Sequence, residues 1–225
     1  MKYKDLILAG SLWKEADKSI AYPFICKYDY PWDIFSHIGD IIKEIIIGFD
    51  KEKYNCLDGD IWIAKDVKIA PTATINGPCI IGEGTDIRPG AFIRGNVIIG
   101  KGCVVGNSTE LKNCILFDSV QVPHFNYVGD SILGYKAHFG AGAVTSNVKS
   151  DRSLVTVKIY DERIETGRKK FGALLGDFAE LGCNSVLNPG TIIGTHSNVY
   201  PLSSVRGYVP ENSIYKSDNS IVKKV

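Results

Sequence analysis

Residues 63–117 read IAKDVKIAPTATINGPCIIGEGTDIRPGAFIRGNVIIGKGCVVGNSTELKNCILF, and every sixth residue of this stretch is apolar. The series comprises Ile63, Ile69, Ile75, Ile81, Ile87, Ile93, Ile99, Val105, Leu111 and Phe117. A second position, four residues after each member, is mostly small or β-branched, as at Ala73, Cys79 and Thr85. A helix repeats near 3.6 residues and a strand at 2, so neither explains a period of six. Hexapeptide repeats form short strands and corners that stack into a parallel β-helix, and we therefore predict a mainly β protein of this kind.

The hexads divide the chain into three segments. We predict the β-helix over residues 61–210, with an excursion at 146–173 where the repeat is interrupted. Residues 1–60 do not carry the six-residue repeat and are predicted to be a cap or packing segment at the N-terminal end of the β-helix. Residues 211–225 are predicted to be a tail that covers the last coil.

Two local features refine this division. In the first segment, Asp33 is a candidate N-cap for one helix whose apolar stripe runs to about Ile47. After Phe117 the count slips, because Val122 and later Leu133 come five residues after the preceding apolar position. We therefore expect two corners to have lost one residue each.

Charge and composition exclude two classes of partner. The 225 residues carry a formal net charge of +1, without the basic excess that nucleic acids or acidic membranes require. The early residues contain no signal-peptide apolar region, and no apolar run is long enough to span a bilayer. We therefore expect a cytoplasmic protein. The six cysteines include no Cys-x-x-Cys pair, which predicts reduced, structural thiols.

Three hexads close one coil, so residues about eighteen apart become neighbours on one face. By this count Asn107, His124 and Ala141 form one column, with neighbouring members about 4.8 Å apart. Arg88 lies on the same face two coils before His124. The excursion leaves at the next corner and carries a basic patch, Arg168-Lys169-Lys170. The spacing thus brings a histidine, an arginine and a basic loop to one edge.

These side chains suit group transfer, although simpler interpretations exist for each. His124 could act as a general base for an amine or hydroxyl that attacks a thioester, but it could equally be an ordinary corner histidine. Arg88 and Lys112 suit a phosphate, whereas each alone is also typical of surface charge. Lys169 and Lys170 could meet the phosphates of a nucleotide-bearing donor, or belong to a solvated loop.

A metal site is not expected. None of the four histidines stand at the i, i+5 spacing of the zinc sites in carbonic anhydrases of this architecture. The chain also lacks a Gly-x-Ser-x-Gly element and a P-loop, so covalent hydrolase and NTPase functions have no support.

Several motifs, taken in order, resemble one family. They are Arg88-Pro-Gly-Ala, Val105-Gly-Asn-Ser-Thr-Glu-Leu-Lys112, His124-Phe-Asn-Tyr127-Val-Gly-Asp130 and Phe139-Gly-Ala-Gly-Ala-Val-Thr-Ser-Asn147. They resemble the acetyltransferase domain of the bifunctional N-acetylglucosamine-1-phosphate uridyltransferase/glucosamine-1-phosphate acetyltransferases. Two later motifs, beginning at Thr166 and Asn188, are similar to those of the related sugar-1-phosphate nucleotidylyltransferases. The likeness covers roughly residues 60–210.

The resemblance implies a left-handed β-helix, a homotrimer with sites between subunits, and acetyl-CoA as co-substrate without a metal. It implies that His124 is the catalytic base and that Asn147 lies near the thioester. The substrate-binding positions implied are Arg88, Lys112, Tyr127 and His138. The cofactor-binding positions are Ala141, Asn147 and Cys183, to which we add Lys169 and Lys170 from the basic patch.

The chain departs from the family pattern at several positions. His138 stands where the family usually has asparagine, and Cys183 stands where a serine helps to hold the cofactor. Only about sixty residues precede the β-helix and they lack the glycine-rich nucleotide-binding start. We therefore expect no nucleotidylyltransferase activity, and an acceptor that could differ from glucosamine-1-phosphate.

The function predicted is an acyl-CoA-dependent acyltransferase that acetylates an amino sugar or sugar-1-phosphate with a histidine base. The alternative is a non-catalytic sugar-nucleotide-binding or assembly module on the same scaffold, which the substituted substrate positions favour. A metal-dependent lyase is the third and weakest alternative.

Overall fold

The computed structural model describes residues 3–50 and 52–224, with the side chains of Tyr3, Lys4 and Ala16 excepted. Parts of the predicted terminal segments, namely Met1, Lys2, Lys51 and Val225, lie outside the described residues. The predicted fold class is confirmed. The chain is mainly β and forms a left-handed parallel β-helix of hexapeptide repeats, with a small helical N-terminal segment and one excursion.

Three faces of short parallel strands build the β-helix. The first face contains Ile61–Ala64, Cys79–Ile81, Val97–Ile99, Ala173–Leu175, Thr191–Ile193, Tyr208–Val209 and the second halves of Glu110–Leu116 and Tyr127–Leu133. The second face contains Lys68–Ile69, Asp86–Ile87, Val104–Asn107, Gln121–His124, His138–Phe139, Glu180–Leu181, Asn198–Val199 and Ser213–Tyr215. The third face contains Thr74–Ile75, Phe92–Ile93, Val144–Thr145, Val186–Leu187, Ser204–Val205 and the first halves of the two long strands.

Two corners of this triangle carry the polar side chains of interest. The His124 corner joins the second face to the third, and the Asp130 corner joins the third face to the first. The inward apolar positions stack between the faces, because side chains alternate across each strand. Examples are Ile93 and Leu111, which are opposite each other and fully buried.

The predicted position of the first slip is wrong. Leu116, and not Phe117, pairs with Ile99, so the coil loses its residue at the Asp130 corner near Asn113. Asp130 occupies the same corner one coil later, where Leu116 pairs with Leu133. Asn113 and Asp130 have φ values of 49° and 47°, in the left-handed region that short polar side chains tolerate. The shortened corners are therefore closed by polar residues rather than glycine.

The N-terminal segment lies along the first face instead of closing only the end of the β-helix. It contains three α-helices rather than one, Ala9–Leu12, Tyr22–Ile25 and Ile38–Ile47. It also contains the 3₁₀ helices Tyr3–Ile7, Ala16–Lys18 and Pro31–Ser36, followed by the strand Tyr54–Leu57 antiparallel to Ile61–Ala64. Asp33 is not the N-cap that the sequence suggested. It lies within the 3₁₀ helix, and the α-helix begins later, with His37 at its N-cap position.

An apolar outer surface explains why the segment covers the first face. Six outward members of this face are at most 1% exposed, namely Ile80, Ile98, Ile115, Ile132, Leu174 and Ile192. Strands buried on both sides read as continuous apolar runs, as Cys79–Ile81 does here. Phe117 also lies outside the coil, where its ring packs 5.5 Å from that of Trp13. Trp13 Nε1 in turn donates to the Leu175 carbonyl at 2.8 Å.

The excursion and the tail are both ordered onto the β-helix. The excursion forms an antiparallel hairpin from Thr156–Ile159 and Glu162–Glu165. The predicted tail contains one further rung, Ser213–Tyr215, and an antiparallel strand, Ile221–Lys223, that covers its edge. Among residues 3–50 and 52–224, no helix has both the length and the apolar character needed to cross a membrane.

Candidate functional site

The His124 corner contains the predicted column. His124 pairs with Asn107 in the parallel ladder, and the Phe125 amide donates to the Asn107 carbonyl at 2.8 Å. The Gly142 amide donates to the His124 carbonyl at 3.0 Å, which sets Ala141 beside His124. The Asn184 amide donates to the Ala141 carbonyl at 2.8 Å, so Cys183 follows on the next rung. The structure thus brings together four of the selected positions along one corner.

The His124 side chain is exposed at this corner. Phe125, which follows it, has a φ of 52° and is 61% exposed. A left-handed conformation is uncommon for an aromatic residue and turns the chain sharply from the second face onto the third. In the part of the chain that the structure describes, no side chain makes a hydrogen bond to the imidazole. The His124 backbone is engaged instead, and its amide donates to Asn126 Oδ1 at 3.1 Å. The ring is therefore available to an external ligand.

A buried carboxylate, Asp130, organises the other corner. It is only 3% exposed, and its two oxygens accept hydrogen bonds from Asn113 Nδ2 at 2.7 Å and Asn147 Nδ2 at 2.5 Å. Lys112 Nζ lies 3.5 Å from Oδ2. A buried charge is tolerated only when it is paired and hydrogen-bonded, and these three donors meet that requirement. We call Lys112, Asn113, Asp130 and Asn147 the Asp130 cluster.

Tyr127 connects this cluster to the third face. Its hydroxyl accepts a hydrogen bond from Asn147 Nδ2 at 3.3 Å, and its ring is half-buried. Burial raises the pKa of the Tyr127 phenol, and the nearby Asp130 carboxylate adds to this effect. The phenol therefore stays protonated at neutral pH and can donate to a ligand. The structure thus brings Tyr127, Lys112 and Asn147 together around Asp130.

The N-terminal segment and the excursion hold the Asp130 cluster from outside. The Phe171 amide donates to the Asn147 carbonyl at 2.9 Å, which closes the base of the excursion. The Phe171 ring packs 5.6 Å from Phe35 and is fully buried. Arg168 Nη1 donates to Ser36 Oγ at 2.9 Å, and its guanidinium lies 5.6 Å from the Phe35 ring. Burial lowers the pKa of Arg168, and the neighbouring Asp130 and Asp33 carboxylates oppose this effect because they stabilise the guanidinium charge.

Other predicted site residues lie apart within the chain. Arg88 remains on the second face, where Nε donates to Asp86 Oδ2 at 2.9 Å rather than facing the Asp130 cluster. His138 pairs with Gln121 and Glu180, at the end of the second face remote from His124. The separation follows from the strand, since Gln121 is three residues before His124 and each residue advances about 3.3 Å.

His124 and Asn147, the two predicted catalytic residues, also lie at different corners. His124 ends a strand of the second face, whereas Asn147 follows the third-face strand Val144–Thr145. Lys169 and Lys170 are exposed beside Asn147 at the Asp130 corner, away from Cys183. A single chain therefore places the predicted site residues at two separate corners rather than in one constellation.

Sequence reasoning missed Asp130, Asn113 and Ser36 as members of the site. Asp130 was visible as the polar end of the His124–Asp130 motif, and the shortened repeat marks both corner residues. Ser36 gave no signal, because its contact with Arg168 joins residues 132 positions apart. Within the described residues, no three His, Cys, Asp or Glu side chains are grouped as metal ligands.

Comparison with known families identifies one domain over most of the β-helix. The family described as GMPPB C-terminal domain matches residues 75–209. The bifunctional protein GlmU of Methanococcus maripaludis is 33% identical over 198 residues, which cover 87% of this chain and 48% of the relative. The bifunctional sugar-1-phosphate nucleotidylyltransferase/acetyltransferase of Sulfurisphaera tokodaii is 34% identical over 112 residues, or 50% of this chain and 28% of that protein. The resemblance inferred from the motifs is confirmed. The matched part of the chain spans about half the length of the first relative and 28% of the length of the second.

Two solved structures match this chain at low identity and low TM-score. Perosamine N-acetyltransferase from Caulobacter crescentus, solved as a mutant with CoA and GDP-perosamine, has a TM-score of 0.36 and 16% identity. The match covers 71% of this chain and 55% of that one. The acetyltransferase domain of PglB from Neisseria gonorrhoeae, with acetyl coenzyme A, has a TM-score of 0.34 and 14% identity, covering 80% and 64% of the two chains.

Proposed function

The chain belongs to the GMPPB C-terminal domain family, and on this premise we propose that it transfers an acetyl group from acetyl-CoA to an amino sugar or sugar-1-phosphate. The Sulfurisphaera tokodaii relative is named as a nucleotidylyltransferase/acetyltransferase, which motivates the reaction class. The observation that carries the proposal is the exposed His124 imidazole on a rung between Asn107 and Ala141. An imidazole without a side-chain partner among the described residues is suited to general base catalysis.

The proposed chemistry is a direct transfer. His124 removes a proton as the acceptor amine nitrogen attacks the thioester carbonyl carbon. The C–S bond then breaks, the CoA sulfur leaves, and the imidazolium returns the proton to it. The products are the N-acetylated acceptor and free CoA. A backbone amide at this corner that makes no hydrogen bond within the coil is the type of donor that would stabilise a thioester oxyanion; the Gly142 amide does not qualify, because it donates to the His124 carbonyl.

The acceptor would lie along the third face. Tyr127 supplies a protonated phenol, and Lys112 supplies a cation that is 26% exposed beside Asp130. A phosphate or a sugar hydroxyl suits these two groups. This region is continuous with the His124 corner, because only Phe125 and Asn126 separate His124 from Tyr127.

We also propose a homotrimer whose subunits combine the two corners. His124 and Asn147 lie at different corners of one chain, so one subunit cannot bring both to the same thioester. A cyclic assembly would set the His124 corner of one subunit against the Asp130 corner of the next. Sedimentation equilibrium would test the oligomer. A monomer at active concentrations would contradict it.

The experiment measures acetyl transfer from acetyl-CoA to a panel of amino-sugar phosphates. We expect His124→Ala to lower kcat by about 100-fold or more, the usual contribution of a general base. His37→Ala is the matched control, since His37 is an exposed histidine of the N-terminal segment. Equal activity of His124→Ala and the wild type would remove His124 from the mechanism.

A non-catalytic binding module remains the second candidate, and one observation favours it. Asn147 Nδ2 already donates to both Asp130 and Tyr127, which leaves this amide group little capacity for an oxyanion. A module of this kind would bind a sugar nucleotide but would neither bind acetyl-CoA nor release free CoA. Calorimetric titration with both ligands separates the two functions.

A further inference from the structure

A groove of about 340 Å³ lies where the excursion hairpin meets the end of the β-helix. Lys158 and Tyr160 from the hairpin form one wall, and Arg206 and Tyr208 from the penultimate coil form the other. Ile221 of the terminal strand lies at the edge. None of these residues belongs to the His124 corner or to the Asp130 cluster.

Two glycines seat the hairpin against the coils. Gly190 and Gly207 have φ values of 79° and 78°, which disfavour any other residue. A Cβ at Gly190 would lie 2.9 Å from the Thr156 carbonyl oxygen, and one at Gly207 would lie 3.1 Å from that of Lys158. The hairpin backbone therefore approaches the coils closely, and this approach fixes Lys158 beside Arg206 in the same groove.

The cations of the groove lack counter-ions. Both Lys158 and Arg206 are exposed, and neither forms an ion pair with any described residue. Lys158 also faces Arg163 directly across the hairpin. Like charges opposite one another destabilise a strand pair, so an anion in the groove would relieve this repulsion. The hairpin's own acids, Asp161 and Glu162, lie at its turn and form no ion pair with these cations within the described chain.

Two tyrosine rings complete the groove. The Tyr160 and Tyr208 rings lie 5.9 Å apart at an angle of 75°, and Tyr160 is 49% exposed. An exposed phenol ring next to cations offers a stacking surface for a planar heterocycle, as aromatic side chains do for nucleobases. The volume of about 340 Å³ falls in the range of small-molecule sites.

We propose that this groove binds a nucleotide, with its phosphate on Lys158 and Arg206 and its base against Tyr160. The inference stands without acyl transfer, because it concerns binding at a groove remote from His124. A nucleotide here could come from the adenosine 3′-phosphate end of CoA or from a nucleotide sugar. The shared chemistry is a phosphate next to a flat ring.

The test titrates the full chain with 3′,5′-ADP, UDP and inorganic phosphate in a calorimeter. We expect one nucleotide to bind more tightly than inorganic phosphate, and its affinity to fall about tenfold or more for each of Lys158→Ala and Arg206→Ala. Tyr160→Leu should weaken the nucleotide and leave phosphate binding unchanged. Lys68→Ala is the matched control, since Lys68 is an exposed lysine at the opposite end of the β-helix.

The outcomes separate the sources and the competing explanations. Preference for 3′,5′-ADP assigns the groove to the acyl donor, and preference for UDP assigns it to a sugar nucleotide. Nucleotide affinity that is unchanged in the Lys158→Ala/Arg206→Ala variant would overturn the proposal, as would no binding of either nucleotide at millimolar concentration. Equal binding of inorganic phosphate would overturn the role of the tyrosine. A folded double variant that binds nucleotide normally and retains acetyl transfer would leave the proposed function standing and remove this site.

Discussion

Substituting Asp130 by asparagine tests whether the buried carboxylate holds the Asp130 corner together. The change keeps the shape of the side chain, but whichever carboxylate oxygen becomes NH₂ then faces a donor amide of Asn113 or Asn147. One hydrogen bond to a charged acceptor is lost, at about 1.5–3 kcal/mol. The contact with Lys112, which is 26% exposed, contributes about 1 kcal/mol or less.

The sum is a loss of about 2–4 kcal/mol in the free energy of unfolding. For a chain of 225 residues this corresponds to a fall in Tm of about 4–16 °C. Differential scanning calorimetry and urea denaturation measure it, with Asp66→Asn as the control because Asp66 is exposed. The double variant Asp130→Asn/Asn147→Asp sets a carboxylate opposite an amide again and should recover part of the loss.

Two results would refute this reasoning. One is a Tm for Asp130→Asn within about 1 °C of the wild type, which would mean that the buried contacts contribute no net stability. The other is a double variant no more stable than the single one, since the interaction between the two side chains would then not be the source of the loss.

Three further predictions concern the scaffold. Gly207→Ala should destabilise the protein more than Gly167→Ala does. Both glycines have a positive φ, but only at Gly207 would an added Cβ lie against the hairpin, 3.1 Å from a carbonyl oxygen. Equal Tm values for the two variants would contradict this. Ile115→Ala should lower the unfolding free energy by about 2–5 kcal/mol, because Ile115 is buried under the N-terminal segment. Ile69→Ala should lower it by much less, because Ile69 is 42% exposed. Similar urea midpoints for the two variants would argue against that packing. Burial raises the pKa of Cys103 to about 12, so this thiol should resist an aromatic disulfide reagent at pH 8 until the chain unfolds, and rapid labelling would show that the site opens.

The period of six was enough to predict the coils and the neighbours of His124, because strand pairing in a β-helix depends only on the number of residues per turn. Asn107 pairs with His124 as counted, because the lost residue falls between these two positions both in the count and in the structure. The lost residue was assigned to the corner after Phe117 instead of the Asp130 corner before it, because Leu116 and Phe117 are both apolar and only the packing of Phe117 against Trp13 distinguishes them.

The position of the N-terminal segment was not predicted, although its signal was present in the strands. Runs such as Val97–Ile99 are apolar at every position, which indicates burial on both sides of the sheet. The period of six accounts for the inward residues alone and leaves Ile98 unexplained. The contact between Ser36 and Arg168 depends on the path of two irregular segments, and no local pattern encodes it.

Some of the site residues taken from the resemblance lie together in the structure, and others lie apart. Lys112, Tyr127 and Asn147 were proposed from motifs and lie together around Asp130. His138 was proposed from the same motifs, but the strand carries it to the far end of the second face. Sequence motifs record which residues occur in a site, whereas the coil determines which of them one chain can bring together.

The measurement that tests the central claim most directly is a crystal structure with CoA bound. If the His124 corner is the acyl-transfer site, the CoA sulfur will lie beside the His124 imidazole, on the rungs of Asn107 and Ala141. A sulfur that lies against another face, or remote from the His124 corner with the rest of CoA ordered, would contradict the account.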